Sequence, residues 1–202
     1  MSNRLVFIDA SVSSKSTLRA QLPVDSVVIE LNGREEGLQQ IANAVAAYSN
    51  LDSIHLFSYG EAGAVYLGAN IISGANLSQY NELLTQIGNS LSSTGDFLLY
   101  GSNIAKGEKG TAFITQLAQA LGADVTASTD ASGVVGNWVL EAQQGQIDSE
   151  TLVPSSTWWT TLTAENGPVL ISQSLEGFAG NSASYNASVS ADGRFVSFES
   201  EA

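Results

Sequence analysis

Ser102 follows a short apolar run and a glycine, Phe97-Leu-Leu-Tyr100-Gly101, which puts a hydroxyl where a buried strand gives way to a turn. An alcohol there is a candidate nucleophile for acyl transfer, but it needs a base to take its proton. The chain has one histidine, His55. It lies upstream of the end of its own apolar segment, and four extended residues, about 13 Å, separate it from Tyr59. If Tyr59 faces Ser102 across neighbouring strand ends, His55 does not, and it reads as a hydrogen-bonded core residue. A phenol with an ordinary pKa of about 10 is a poor base near neutrality. Asp9 and Asp130 also fall at the ends of apolar runs. Either they form a carboxylate pair lining a pocket, or each caps nearby backbone amides.

Other chemistries have less support. Cysteine is absent, which removes thiol nucleophiles, disulfides and thiolate metal sites, and a single histidine leaves few nitrogen ligands. The acids Asp124, Asp130, Asp148 and Glu150 do not have the spacing of a calcium-binding loop. Gly60-Glu-Ala-Gly63 and Gly107-Glu-Lys-Gly110 lack the Gly-Lys-Ser/Thr that opens a phosphate-binding helix. No metal and no cofactor is expected.

The elements that must hold these residues follow from the pattern of apolar positions. Of 202 residues, 7 are Lys or Arg and 20 are Asp or Glu, a net charge of 7 − 20 = −13, so no segment can neutralise a row of phosphates. The hydrophobic share of 44% against 13% charged describes a chain that buries a core. No stretch of about 18 apolar residues occurs, so membrane insertion is not expected. The opening residues MSNRLVFIDA lack the long apolar stretch of a cleaved secretion signal.

Buried strands are predicted at 4–10, 26–31, 53–58, 96–100 and 123–128, with a hairpin over 64–72. Helices are predicted at 14–22, about 35–48 and 77–91, and another from the stripe Phe113, Leu117, Ala120 and Leu121, ended by Gly122. Strands alternating with helices imply an α/β fold with a mostly parallel sheet covered on both faces. The composition changes near residues 145–156, dividing the chain into an α/β domain over 1–150 and a small β-rich tail over 151–202. Trp158-Trp159 favours docking of that tail, since two adjacent indoles in water would be an exposed apolar liability.

Four blocks in order carry a resemblance: Leu5-Val-Phe-Ile-Asp9-Ala-Ser-Val12, Leu51-Asp-Ser-Ile-His55-Leu-Phe-Ser-Tyr59-Gly60, Gly95-Asp-Phe-Leu-Leu-Tyr100-Gly101-Ser102-Asn103-Ile-Ala105, and Gly122-Ala-Asp-Val-Thr-Ala-Ser128-Thr129-Asp130. Over residues 4–145 the chain resembles a bacterial domain of unknown function found at the N-terminus of very large cyanobacterial and proteobacterial surface or adhesin-like proteins. That domain looks like a caspase-type fold, a three-layer sandwich related to caspases, metacaspases and gingipains. In the family pattern the third strand ends in Ser-His-Gly and the fourth in Tyr-Gly-Cys-Asn, which supplies a His-Cys dyad. Tyr59 and Ser102 stand at those positions here.

The resemblance therefore implies a catalytically inactive peptidase homologue, not an enzyme, that binds a protein or peptide partner at the cell surface or outside the cell. Tyr59 and Ser102 mark the degenerate dyad, with Gly60, Asn103, Asp9 and Asp130 around the expected pocket. Two alternatives are a serine hydrolase using Ser102 with Tyr59, and an engineered inactive form of a cysteine peptidase. In the tail, Ser188-Val-Ser-Ala-Asp192-Gly193-Arg-Phe-Val-Ser-Phe198 is similar to one repeat of TolB-like β-propellers, and one repeat cannot close a propeller.

Overall fold

A computed structural model describes residues 3–13, 15–132 and 137–152, together with the backbone of two strands, Ser184–Val189 and Val196–Ser200. The chain forms two compact units, Met1–Ala164 and Glu165–Ala202. In the first, β1 (Arg4–Ile8), β2 (Val27–Glu30), β3 (Leu51–Phe57), β7 (Leu91–Tyr100), β8 (Asp124–Ala127) and β9 (Ala142–Gln144) make one sheet in the order β2-β1-β3-β7-β8-β9. The first five strands are parallel and β9 runs antiparallel to β8. A separate three-stranded sheet of β4 (Gly60–Glu61), β5 (Ala64–Leu67) and β6 (Asn70–Ser73) contains the expected hairpin.

Side chains alternate along each strand, and the core splits accordingly. Leu5, Phe7, Ile54, Leu56, Phe97 and Leu99 face the larger core. Over them pack Leu38, Ile41, Ala42 and Val45 of α2 (Gly37–Val45), Leu84 and Ile87 of α3 (Asn81–Gly88), and Phe113, Ile114, Leu117 and Leu121 of α4 (Gly107–Leu121). As expected, α4 stops at Gly122, whose φ of 67° is left-handed and whose N–H reaches Ala118 O at 2.8 Å.

The opposite face carries Val6, Ile8, Phe57, Leu98 and Tyr100. Its cover is thinner than the alternation of strands and helices suggests. The only described helix on it is the short α1 (Lys15–Arg19), through Leu18, joined by Val12 and Leu22 on either side of it and by Trp138, Leu140 and Leu152 in the segment after β8.

One predicted helix is shorter than its apolar stripe. A 3₁₀ turn at Leu77–Tyr80 leads into α3, which ends at Gly88, and Leu91 opens β7. The Ser90 hydroxyl donates to Ile87 O at 2.6 Å and closes the turn. Leu91 kept the helical spacing because strand start and helix end pack into the same core.

The second unit's described part is an antiparallel pair, Ser184–Val189 with Val196–Ser200. Trp158-Trp159, the apolar piece 168–172 and Asp192-Gly193 of the propeller-like motif lie outside the described residues.

Candidate functional site

β3 and β7 are immediate neighbours, with Phe57 in register with Tyr100, and the Ser58 N–H donates to Tyr100 O at 3.0 Å. Tyr59 and Ser102 therefore stand two residues beyond a matched pair, at the carboxyl ends of adjacent parallel strands. Tyr59 packs on the face that carries Phe57 and Tyr100, and Ser102 lies in the turn that follows β7. Tyr59 is half-buried against that cluster, and its carbonyl accepts the Tyr66 N–H at 2.9 Å.

Ser102 is fully buried. Its Oγ accepts the Ser132 N–H at 2.8 Å and lies 3.4 Å from Ser132 O. The hydroxyl is thus held by the backbone of a chain segment lying over the strand end, with no base against it among the described residues. Neighbouring atoms seat the same segment: Asn103 N–H donates to Asp130 O at 2.7 Å and Ala105 N–H to Ser128 O at 2.9 Å. Asn103 achieves this with a φ of 62°, a left-handed conformation that asparagine tolerates. Gly60 is buried, and a Cβ there would lie 2.3 Å from Ile104 Cγ1 and 3.2 Å from Ser102 O.

The two aspartates do not pair. Asp9 ends β1 and is buried; its Oδ1 accepts the Ser11 N–H (2.8 Å) and hydroxyl (2.5 Å), and its Oδ2 accepts the Gly68 N–H (2.6 Å). Asp130 is exposed beyond β8, its Oδ2 taking the Asn137 amide at 3.0 Å. Three strand spacings, roughly 14 Å, separate the two strand ends; Asp9 caps backbone amides, whereas the Asp130 carboxylate is met by the Asn137 side-chain amide and the Ser128 hydroxyl. Three open clefts on this unit, of 400–530 Å³, are lined by none of Asp9, Tyr59, Gly60, Ser102, Asn103 or Asp130. Asp9, Gly60 and Ser102 are buried and Asp130 is exposed, and the segment 128–132 lies over Ser102 through its bonds to Ser102, Asn103 and Ala105.

His55 lies on the same face as Tyr59 but lower on the sheet, fully buried. Its Nδ1 is 3.1 Å from Tyr100 Oη and its Nε2 2.9 Å from Ser53 Oγ. Burial, reinforced by the positive charge of Arg4, lowers its pKa to about 3. Burial pushes the Tyr100 phenol well above its usual range, although the Leu152 N–H on its oxygen and the Arg4 charge oppose the shift. Both rings are therefore neutral near neutrality. Tyr100 Oη accepts the Leu152 N–H at 2.8 Å and shares a hydrogen bond with His55 Nδ1, while His55 Nε2 shares one with the Ser53 hydroxyl. This chain binds residue 152 to the sheet, and nothing in it reaches Ser102.

The sequence alone did not single out Arg4, Ser53 or Asp96, which lie in one row at the amino-terminal end of the strands. Polar residues opening the otherwise apolar runs 4–10, 53–58 and 96–100 were the available signal. Among the described residues no group of three or more His, Cys, Asp or Glu could hold a metal ion. Asp124, one of the acids considered for calcium, accepts the Gln146 N–H instead, at 3.1 Å. No described helix is long and apolar enough to cross a membrane.

No curated protein matches the chain. A solved structure titled "Crystal structure of a small-chain dehydrogenase" is 9% identical, with a TM-score of 0.32 over 58% of this chain and 76% of that one, and nothing about the site follows from it. A family model matches residues 5–161, the sheet and the segments that close its ends, and the chain belongs to that family, described as Domain of unknown function (DUF4347).

Proposed function

We propose that the α/β unit is a catalytically inactive, caspase-like peptidase homologue that acts as a binding or scaffolding module for a protein or peptide partner within a larger surface-associated protein. The observation that carries the reading is the commitment of Ser102: a fully buried hydroxyl whose oxygen accepts a backbone N–H cannot approach a scissile carbonyl. Two features support the caspase-like part. The four sequence blocks occur in the family's order, and the strands that lead into positions 59 and 102 are hydrogen-bonded neighbours in a largely parallel sheet, as a dyad drawn from their ends requires. The surface location follows from the resemblance.

The base is missing as well as the nucleophile. His55 is about 13 Å from Tyr59 along the strand, neutral, and engaged at both nitrogens. Full-length chain incubated with a serine-directed fluorophosphonate and with basic and acidic fluorogenic peptides is expected to show neither adduct nor turnover. An adduct or turnover lost in Ser102→Ala overturns the reading in favour of a serine hydrolase.

A further inference from the structure

α3 and α4 lie side by side over the larger core and approach backbone to backbone at Gly88, where a Cβ would fall 1.7 Å from Leu121 O. N-terminal of that contact a cleft of about 530 Å³ opens between them, with buried Leu77 of the 3₁₀ turn and half-buried Ala120 of α4 at its base. Its walls carry the exposed side chains of Ser78, Asn81, Thr85, Gln116 and Gln119. None of these side chains makes a hydrogen bond to a described residue. Gly74, just after β6, stands at the rim. Its φ is not positive, so the backbone does not call for glycine there. A Cβ would lie 3.3 Å from Gln116 Oε1, so glycine keeps the Gln116 carboxamide uncovered.

The lining decides the ligand class by elimination. No lining residue is Asp, Glu, Lys, Arg or His, in a chain whose net charge is −13. An ionic ligand would find no countercharge in the walls. A wholly apolar one would strip water from the polar side chains and return no hydrogen bond. What fits is a neutral molecule rich in groups that both donate and accept, because each hydroxyl and carboxamide in the walls does both. Leu77 and Ala120 at the base call in addition for an apolar face. A pyranose ring carries hydroxyls around its edge and C–H groups on its faces. The volume lies in the range of about 300–1,000 Å³ that small-molecule sites occupy.

The other two clefts differ in both respects. One has Arg4, Asp52, Asp148 and Glu150 in its walls, and the other is lined by α4 alone and includes Glu108. Only between α3 and α4 do uncharged polar groups from two elements face one space, as gripping a ring from two sides requires.

We propose that the cleft between α3 and α4 binds a neutral saccharide, its C–H face on Leu77 and Ala120 and its hydroxyls shared among the Asn81, Gln116 and Gln119 carboxamides and the Ser78 and Thr85 hydroxyls. The site shares no residue with the Tyr59 and Ser102 end of the sheet and does not rest on the peptidase-homologue reading. NMR titration of the full chain with maltose, cellobiose, lactose and N,N′-diacetylchitobiose, beside glycerol and a capped alanine dipeptide, tests it. At least one of the disaccharides is expected to saturate and to move the side-chain amide signals of Asn81, Gln116 and Gln119 together, with glycerol and the dipeptide at least about tenfold weaker. Gln116→Ala should weaken that sugar by about three- to tenfold, the worth of one hydrogen bond, and Gly74→Leu, which fills the rim, by about tenfold or more. Glu108→Gln, in the neighbouring cleft, should leave it unchanged. No saturation by any of the four sugars, glycerol acting as strongly as a sugar, or a dipeptide binding as tightly would each overturn the proposal. So would full affinity in folded Gly74→Leu. If Gly74→Leu fails to fold, the exposed changes Gln116→Ala and Asn81→Ala decide it.

Discussion

Ser102 Oγ lies 2.8 Å from the backbone nitrogen of Ser132 and accepts its N–H hydrogen bond, so the hydroxyl at the end of β7 holds down a backbone amide. Removing the oxygen in Ser102→Ala leaves that buried N–H without a partner, a cost of about 1–3 kcal/mol. Urea unfolding should show a lower midpoint at unchanged slope. A variant as stable as the wild type would mean that the segment over the strand end is held by other contacts. On the proposed caspase-like reading, introducing a His-Cys pair with Tyr59→His and Ser102→Cys together is expected to give no peptide turnover, because a sulfur at position 102 remains buried against Ser132.

His55 provides a test of pH dependence. Its pKa falls from 6.5 to about 3 on folding, so between these values the unfolded chain binds the extra proton. The stabilisation contributed by the neutral imidazole is complete above the unfolded value and is lost as the pH falls toward the folded one, by up to about 1.4 kcal/mol per pH unit. His55→Gln lacks this component. The stability advantage of wild type over variant should therefore shrink by about 2–3 kcal/mol between roughly pH 7.5 and roughly pH 4.5, measured by denaturant unfolding. A difference that stays constant would show that His55 titrates in the folded protein as it does in the unfolded chain.

Tyr100→Phe keeps the ring stacked on Phe57, whose centroid is 4.3 Å away, and removes only the oxygen. The Leu152 N–H and His55 Nδ1 then lose their common partner. The expected cost is about 2–3 kcal/mol, with faster hydrogen exchange concentrated at the Leu152 amide. Protection at that amide equal to wild type would show that the buried Leu152 side chain alone holds the segment.

Much of the frame was legible in the residues. Apolar runs of strand length, alternating with stripes at helical spacing, marked the five parallel strands and α2 and α4, since burial demands those periods wherever an element covers a core. Gly122 marked the end of α4 because a left-handed residue costs glycine least. His55 was legible as a buried, hydrogen-bonded residue from its distance along the strand. Leu91 was not legible as a strand residue, because periodicity records burial and not the element that provides it.

What only the tertiary structure decided is which polar groups meet. The residue types at 9, 59, 102 and 130 were plain, but whether they open onto a pocket depends on where residues 128–132 run, and that segment has no periodic signal. It lies over Ser102 because the backbone amides of Asn103 and Ala105 bind its carbonyls. The row of Arg4, Ser53 and Asp96 likewise exists only through strand register, which joins residues 49 and 43 positions apart. Local sequence encodes which side of a strand is buried; the pairing of strands, a long-range choice made by the whole core, encodes which buried polar groups become neighbours.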